Sequence, residues 1–328
     1  RKSYSESKGD GTAFSTALYF GFQTGKRFGN GDGGKVLSRR RRQNEDEAFA
    51  VQKTRLYCLR RDTWIFAGSA FTAVNENLRK QDMRVKLTVA YDGTAYHGWQ
   101  LQKNGNTIEA ELNRHLSELL REDIQVIGAS RTDSGVHALC NIAVFDTNTK
   151  MAAEKISYAL NQRLPEDIRI QGSCEVAEDF HPRKCKSIKT YEYKIWRGEF
   201  PMPTQRLYAH FMYTPLNVEL MREAAAYLEG RHDFKSFCSV DSQAESTIRT
   251  IYKLELIEEG NLLRIRISGN GFLYNMVRII VGTLVEFGKG KYPTEKMPEI
   301  LAALDRQAAG PTMPAKGLTL VQYDFLES

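Results

Sequence analysis

Long apolar runs are missing from this sequence. None of its 328 residues fall in a stretch approaching the roughly 18 to 20 consecutive apolar residues of a membrane-spanning helix, which argues against a transmembrane function. Cysteine is scarce and scattered: Cys58, Cys140, Cys174, Cys185 and Cys238 are odd in number, form no C-x-x-C pair and have no His at metal-ligand spacing. That excludes a disulfide framework or zinc site of the usual kind and reads as reduced thiols of an intracellular protein. A surplus of positive charge is missing from most of the chain. The net charge is +6, yet residues 1–80 hold 16 Lys and Arg against 8 Asp and Glu, which leaves 30 against 32, a net of −2, for everything after them. A polyanion-binding surface on the body must therefore be a local patch. No short-period repeat of solenoid type is present either.

What is present divides at about residue 83. The first 40 residues are rich in Gly, Ser and Thr, carry eight basic residues against three acidic ones and lack sustained periodicity, the composition of a disordered or targeting segment. Arg39 to Arg42 then form a basic cluster followed by Glu45, Asp46 and Glu47. An organellar (chloroplast or mitochondrial) transit segment accounts for the early bias and is the expectation adopted; a nuclear signal or a solvated tail of a cytoplasmic protein are the alternatives. The chain begins with Arg, as a fragment or processed form would.

From residue 84 the pattern is that of a folded body. Val85, Leu87, Val89 and Tyr91 alternate with polar neighbours as a half-buried strand does, and Tyr91-Asp92-Gly93 supplies a turn. Thr107 opens a helix in which Ile108, Leu112, His115, Leu116, Leu119 and Leu120 recur at helical spacing, with His115 read as a satisfied face or core residue rather than a ligand. Apolar runs from Ile124 to Ala129 and from Leu139 to Phe145 predict two strands flanking a polar loop, Arg131 to His137. The second half repeats this grammar: a strand from Lys189 to Trp196, a helix from Val218 to Leu228, strands through Tyr252–Leu256 and Leu263–Ile267, and a helical stripe from Phe272 to Leu284. Two strand-helix-strand halves predict an α+β body with antiparallel sheet.

Within the loop, Gly128-Ala129-Ser130-Arg131-Thr132-Asp133-Ser134-Gly135-Val136-His137-Ala138, an Asp stands where two buried strands meet, and Arg131 projects to the same side in extended chain. Alone, such a segment is more readily a turn in which Asp caps backbone N–H groups. Together with the other segments it resembles the TruA-type tRNA pseudouridine synthase family over about residues 84 to 325. The resemblance is carried by Tyr91-Asp92-Gly93-Thr94, Gly98-Trp99-Gln100, Thr107-Ile108-Glu109, Arg131 to Ala138, Leu164-Pro165, Phe180-His181, Tyr191, Tyr193, His232-Asp233-Phe234, Arg249-Thr250-Ile251, Gly269 to Arg278, Gly310-Pro311-Thr312 and Gly317-Leu318. Ser130, Pro182 and Asn141 depart from the residues commonest in that family, and none of the three removes a chemical group assigned to catalysis.

The resemblance implies two similar lobes forming a mostly antiparallel sheet flanked by helices, with the active cleft between them: an extension over 1–82, a first lobe over 83–186 and a second over 187–328. It implies isomerisation of uridine to pseudouridine in the anticodon stem-loop of tRNA, at tRNA positions 38 to 40, by a homodimer that needs no cofactor or metal and no membrane. It assigns the catalytic carboxylate to Asp133, the cation beside it to Arg278, stacking on the flipped uracil to Tyr191 and the space vacated by that nucleotide to Arg131. His137 stays open between shaping the loop and touching RNA. By periodicity alone Arg278 would be a solvated helix residue, and Tyr191 and Tyr193 core residues, as Tyr193 is expected to be. Two rivals stand beside this reading: a non-catalytic RNA-binding protein or RNA chaperone of the same fold, and a nucleoside hydrolase, for which no second catalytic carboxylate is evident.

Overall fold

The structure is a computed structural model that describes residues 83–240 and 244–326. The expected N-terminal extension lies outside the described residues. Ten strands form one sheet, β1 (Met83–Tyr91), β2 (Ile127–Gly128), β3 (His137–Thr147), β4 (Ile168–Val176), β5 (Ser187–Arg197), β6 (His210–Met212), β7 (Gly230–Asp233), β8 (Ile248–Glu259), β9 (Leu262–Gly269) and β10 (Leu318–Phe325). The principal strand order is β4-β1-β3-β10-β5-β9-β8-β7, with β2 beside β3 and β6 beside β5. Pairing is antiparallel except for β3 with β10 and β5 with β6. Five α-helices accompany the sheet among the described residues: α1 (Ile108–Leu120), α2 (Ala153–Asn161), α3 (Val218–Ala226), α4 (Met276–Gly288) and α5 (Lys296–Ala303). The mostly antiparallel α+β architecture expected from the sequence is the one found.

Local chemistry explains most elements. In β1 the alternating Val85, Leu87 and Val89 are fully buried, while their neighbours are partly exposed. α1 begins where Thr107 accepts a hydrogen bond from Ala110 N, a side-chain cap, and Glu109 and Glu111 occupy its first turn, where the helix dipole favours them. α4 is different: Arg278 is its only residue that is not buried, as expected for a helix apolar on all sides.

Two boundaries differ from the sequence reading. The Ile124–Ala129 run gives only the two-residue β2, because the backbone N–H groups of Ile124 and Val126 donate to the α1 side chains Ser117 Oγ (2.9 Å) and Asn113 Oδ1 (2.8 Å) rather than to a neighbouring strand. The stripe from Phe272 begins as a loop, and α4 starts only after Asn275, which adopts a left-handed conformation with φ 60°. The elements that periodicity left unassigned, among them α2, β4 and α5, are short or half-exposed.

The joint between the first and second halves of the sheet matters most for the site. β10, the last strand in sequence, inserts between β3 and β5, and its parallel contact with β3 is confined to Thr319 opposite His137 and Leu320 opposite Ala138. The polar loop ends at that point.

Candidate active site

The loop from Ser130 to Val136 is held from several directions. Asn141, fully buried on β3, accepts a hydrogen bond from Ser130 N (3.2 Å) and donates to Ser130 O (2.9 Å), so one amide side chain satisfies both backbone groups of that residue. The Tyr91 hydroxyl lies 2.7 Å from Thr132 Oγ1, and Trp99 N donates to Thr132 O (3.0 Å). Gly98, at φ 89°, lets the backbone approach so closely that a Cβ there would stand 2.6 Å from Thr132 O. Ser134 Oγ and Gly135 N both donate to Tyr96 O. Apart from the Tyr91–Thr132 side-chain contact, these anchors fix backbone, leaving the Asp133 side chain to project into the site.

Asp133 meets Arg278 there: Arg278 Nη1 donates to Asp133 Oδ2 at 3.3 Å, with the two side chains 18% and 17% exposed. The guanidinium is itself pre-positioned, since Nε donates to Met313 O (2.6 Å) and Nη1 to Asn275 Oδ1 (2.7 Å), while Asn275 Nδ2 donates to Ser239 Oγ (2.9 Å). The solvated-helix alternative for Arg278 is thereby removed. Burial raises the Asp133 carboxyl above its ordinary range, and Arg278 offsets part of that rise through its charge and hydrogen bond.

Tyr191 lies on β5 and is 7% exposed, with its ring edge-on to Phe272 at 5.2 Å between centroids. Burial pushes its phenol strongly upward, and the charge of nearby Asp133 adds to the push, so it stays protonated at physiological pH. Tyr193, two residues on, is fully buried and donates to Pro314 O (2.8 Å), the core position expected of it. Arg131 is exposed at the mouth of the loop.

His137 is only 3% exposed, and both ring nitrogens are engaged. Nδ1 lies 3.1 Å from Gly93 N, and Nε2 faces the carbonyl oxygens of Leu207 (3.0 Å) and Lys316 (3.2 Å). Asp92, 3.1 Å from Nδ1, also accepts a hydrogen bond from the Tyr208 hydroxyl (2.7 Å). The imidazole thus ties the end of the loop to three distant segments.

Asn141, Asn275 and Phe272 belong to the site although sequence reasoning gave them no role. A β-strand Asn and a loop Asn carry no periodic signal; only their place inside recognisable motifs marked them. Among the described residues, no group of three or more His, Cys, Asp or Glu is arranged to hold a metal ion. The chemistry available is that of one buried carboxylate, a fixed guanidinium and an aromatic platform.

Comparison with known proteins agrees with this geometry. A family model described as tRNA pseudouridine synthase matches residues 87–183 and 224–325, which brackets the loop, α4 and β10. The chain belongs to that family, and is an isomerase that converts uridine to pseudouridine in tRNA. Its similar relatives include the tRNA pseudouridine synthase A of Ruminiclostridium cellulolyticum, 48% identical over 243 residues, covering 74% of this chain and 99% of the relative. That of a Thermoanaerobacter species is 48% identical over 241 residues (74% and 99%), and tRNA pseudouridine synthase A 2 of Clostridium perfringens is 44% identical over 236 (72% and 97%). The non-catalytic and hydrolase alternatives are set aside.

Proposed function

We propose that this enzyme modifies uridines of the tRNA anticodon stem-loop, at positions 38 to 40, and that Asp133 is its catalytic carboxylate. The observation that carries the assignment is the Asp133–Arg278 contact beside the buried Tyr191: a lone carboxylate, charge-compensated and largely withdrawn from water, next to an aromatic face.

Conversion to pseudouridine breaks the N1–C1′ bond, turns the uracil and joins C5 to C1′, with the C5 hydrogen passing to solvent. An ionised Asp133 serves at the ribose, either as nucleophile at C1′ or as base on the sugar, and both routes require the charge that Arg278 favours. Tyr191 provides the surface against which the flipped base packs, a contact of roughly 1 to 3 kcal/mol per base, and Arg131 fills the place the nucleotide leaves. His137, with both nitrogens occupied, is assigned to bracing the loop. The catalytic body consists of lobes over 83–186 and 187–328, works as a homodimer, and is delivered to an organelle by the residues before 83, an assignment supported by their Gly, Ser, Thr and basic content.

Tritium release from tRNA labelled at uridine C5 tests the catalytic assignment. The parent releases label and Asp133→Asn does not while retaining RNA affinity; release by the variant would overturn the role of Asp133. Replacing the uridines at positions 38, 39 and 40 one at a time maps the sites. Release that persists when all three are replaced would refute the anticodon assignment.

A further inference from the structure

Among the described residues, twelve Lys and Arg side chains form ion pairs with carboxylates. On one face of β5, buried Glu192 lies 2.8 Å from Arg266 and 3.6 Å from Arg264 and Lys194. The opposite face, which carries Tyr191, is arranged otherwise. Lys189 lies two residues before Tyr191 and therefore on the same side of the strand. Its Nζ sits 5.2 Å from the centroid of the Tyr323 ring and 3.4 Å from Ala129 O, the carbonyl just before the catalytic loop. Arg183 Nε donates to the preceding carbonyl, Gly128 O (2.8 Å). Among the described residues, Arg249 of β8 donates to the carbonyls of Ser246 and Ile248. None of Lys189, Arg183, Arg249 or Arg131 forms an ion pair among the described residues.

We infer that Lys189, Arg183 and Arg249 form a subsite for one backbone phosphate of the RNA next to the flipped uridine, with Lys189 as its central ligand. This rests on the tRNA-modifying reading of the same site. Three cations gathered beside a buried aromatic ring and lacking a carboxylate are an incomplete charge arrangement, and a phosphate completes it with charge-assisted hydrogen bonds. Carbonyl contacts to Gly128 and Ala129 aim two of the cations and couple the phosphate to the strand that leads into Asp133. On a body whose net charge is −2, this is the local basic patch that RNA binding demands.

The free protein shows the strain of the arrangement. Burial, then the charges of Arg183 and Arg249, lower the Lys189 ammonium to about 8. Burial and Arg131 likewise lower Arg183, against a smaller opposing influence from Glu109, and burial lowers Arg249. Tyr323 and Tyr191, the other titratable groups facing Lys189 from β10 and β5, both have phenols raised by burial and remain neutral. A phosphate raises the lysine again, so RNA binding takes up a proton. The binding advantage is complete below the free lysine's value and is lost as pH rises through it, by as much as about tenfold per pH unit.

The test uses the full chain, a fluorescent synthetic stem-loop RNA that the parent modifies, and versions of that RNA with a single neutral methylphosphonate at each phosphate flanking the target. In the parent, one methylphosphonate weakens binding on the order of tenfold. In Lys189→Met, binding of the all-phosphate RNA falls similarly and the same methylphosphonate has no further effect. Lys189→Arg restores affinity and removes its decline between pH 7.5 and 9.5, a rescue that a purely structural lysine would not show. Equal methylphosphonate penalties in parent and Lys189→Met, or a parent affinity flat across that pH range, would overturn the subsite. Should Lys189→Met fail to fold, the parent and Lys189→Arg pH series decides. Tritium release by the parent on the all-phosphate RNA separates failure of the subsite from failure of the underlying reading.

Discussion

Arg278 is a cation on a helix otherwise buried along its whole length, and its three hydrogen-bond partners come from three different segments. Its effect on Asp133 has a definite sign. With Asp133 proposed as the catalytic carboxylate, the ionised form is the active one, so activity is present above the Asp133 pKa and fades as pH falls through it. Because burial raises that pKa, the acid limb of kcat/KM lies above the roughly 3.9 of an unperturbed Asp. Arg278→Met removes the opposing influence and moves the limb to still higher pH; a pH–rate series from 4 to 8 measures the shift, and an unmoved limb would deny Arg278 that role. For stability the sign reverses. A raised carboxyl pKa favours the protonated folded state, so the ionised group becomes a cost as pH rises through that window. Asp133→Asn therefore melts no more than about 2 °C below the parent at neutral pH, because Arg278 keeps its contacts to Met313 and Asn275.

At the scale of elements, the entrance to α4 determines whether Arg278 reaches the loop. Asn275 has both a left-handed backbone and an amide that accepts from Arg278, and substitution separates the two. Asn275→Gly keeps the backbone permissible and loses the acceptor; activity falls severalfold while thermal stability changes by less than about 1 kcal/mol. Asn275→Ala loses the acceptor and also strains the turn, which costs a further ~1 to 2 kcal/mol by denaturant melting. Further along the helix, a Cβ on Gly282 would stand 1.8 Å from Pro311 O, so Gly282→Ala must push the segment carrying Met313 off α4. Overpacking of that kind costs about 1 to 3 kcal/mol, and it displaces the carbonyl that aims Arg278. A lower melting temperature accompanied by a loss of activity at temperatures where the variant remains folded is the expected result.

Across the whole molecule, the two halves of the sheet meet through β10, and the site is assembled at that meeting: Asp133 from the loop before β3, Tyr191 from β5, and Arg278 held by Met313 just ahead of β10. Leu320, fully buried at the β3–β10 joint, is the residue whose truncation tests the coupling. Leu320→Ala costs roughly 2 to 5 kcal/mol. Chemical denaturation should show the loss, with intrinsic fluorescence and activity disappearing together if the halves unfold as one unit. RNA affinity is expected to fall steeply with salt despite the nearly neutral body, because local phosphate contacts, rather than net charge, set the slope.

Periodicity by itself determined many of the strands and helices: the alternation in β1 and β9, the Thr107 cap and the apolar stripes each follow from neighbours a few residues apart, which is the range over which a sequence pattern acts. Motif resemblance marked Asp133, Tyr191, Arg131 and Arg278 and the family to which the chain belongs. Tertiary structure alone decided what lies around them. The insertion of β10 between β3 and β5, the clasp of Asn141 on Ser130, the use of both His137 nitrogens and the gathering of Lys189, Arg183 and Arg249 bring together residues of separate strands and loops, up to 179 positions apart. Such contacts depend on burial and on which chain segments the sheet brings together. No local spacing encodes them, so the charge state of the site and its unpaired cations became visible only once the body had folded.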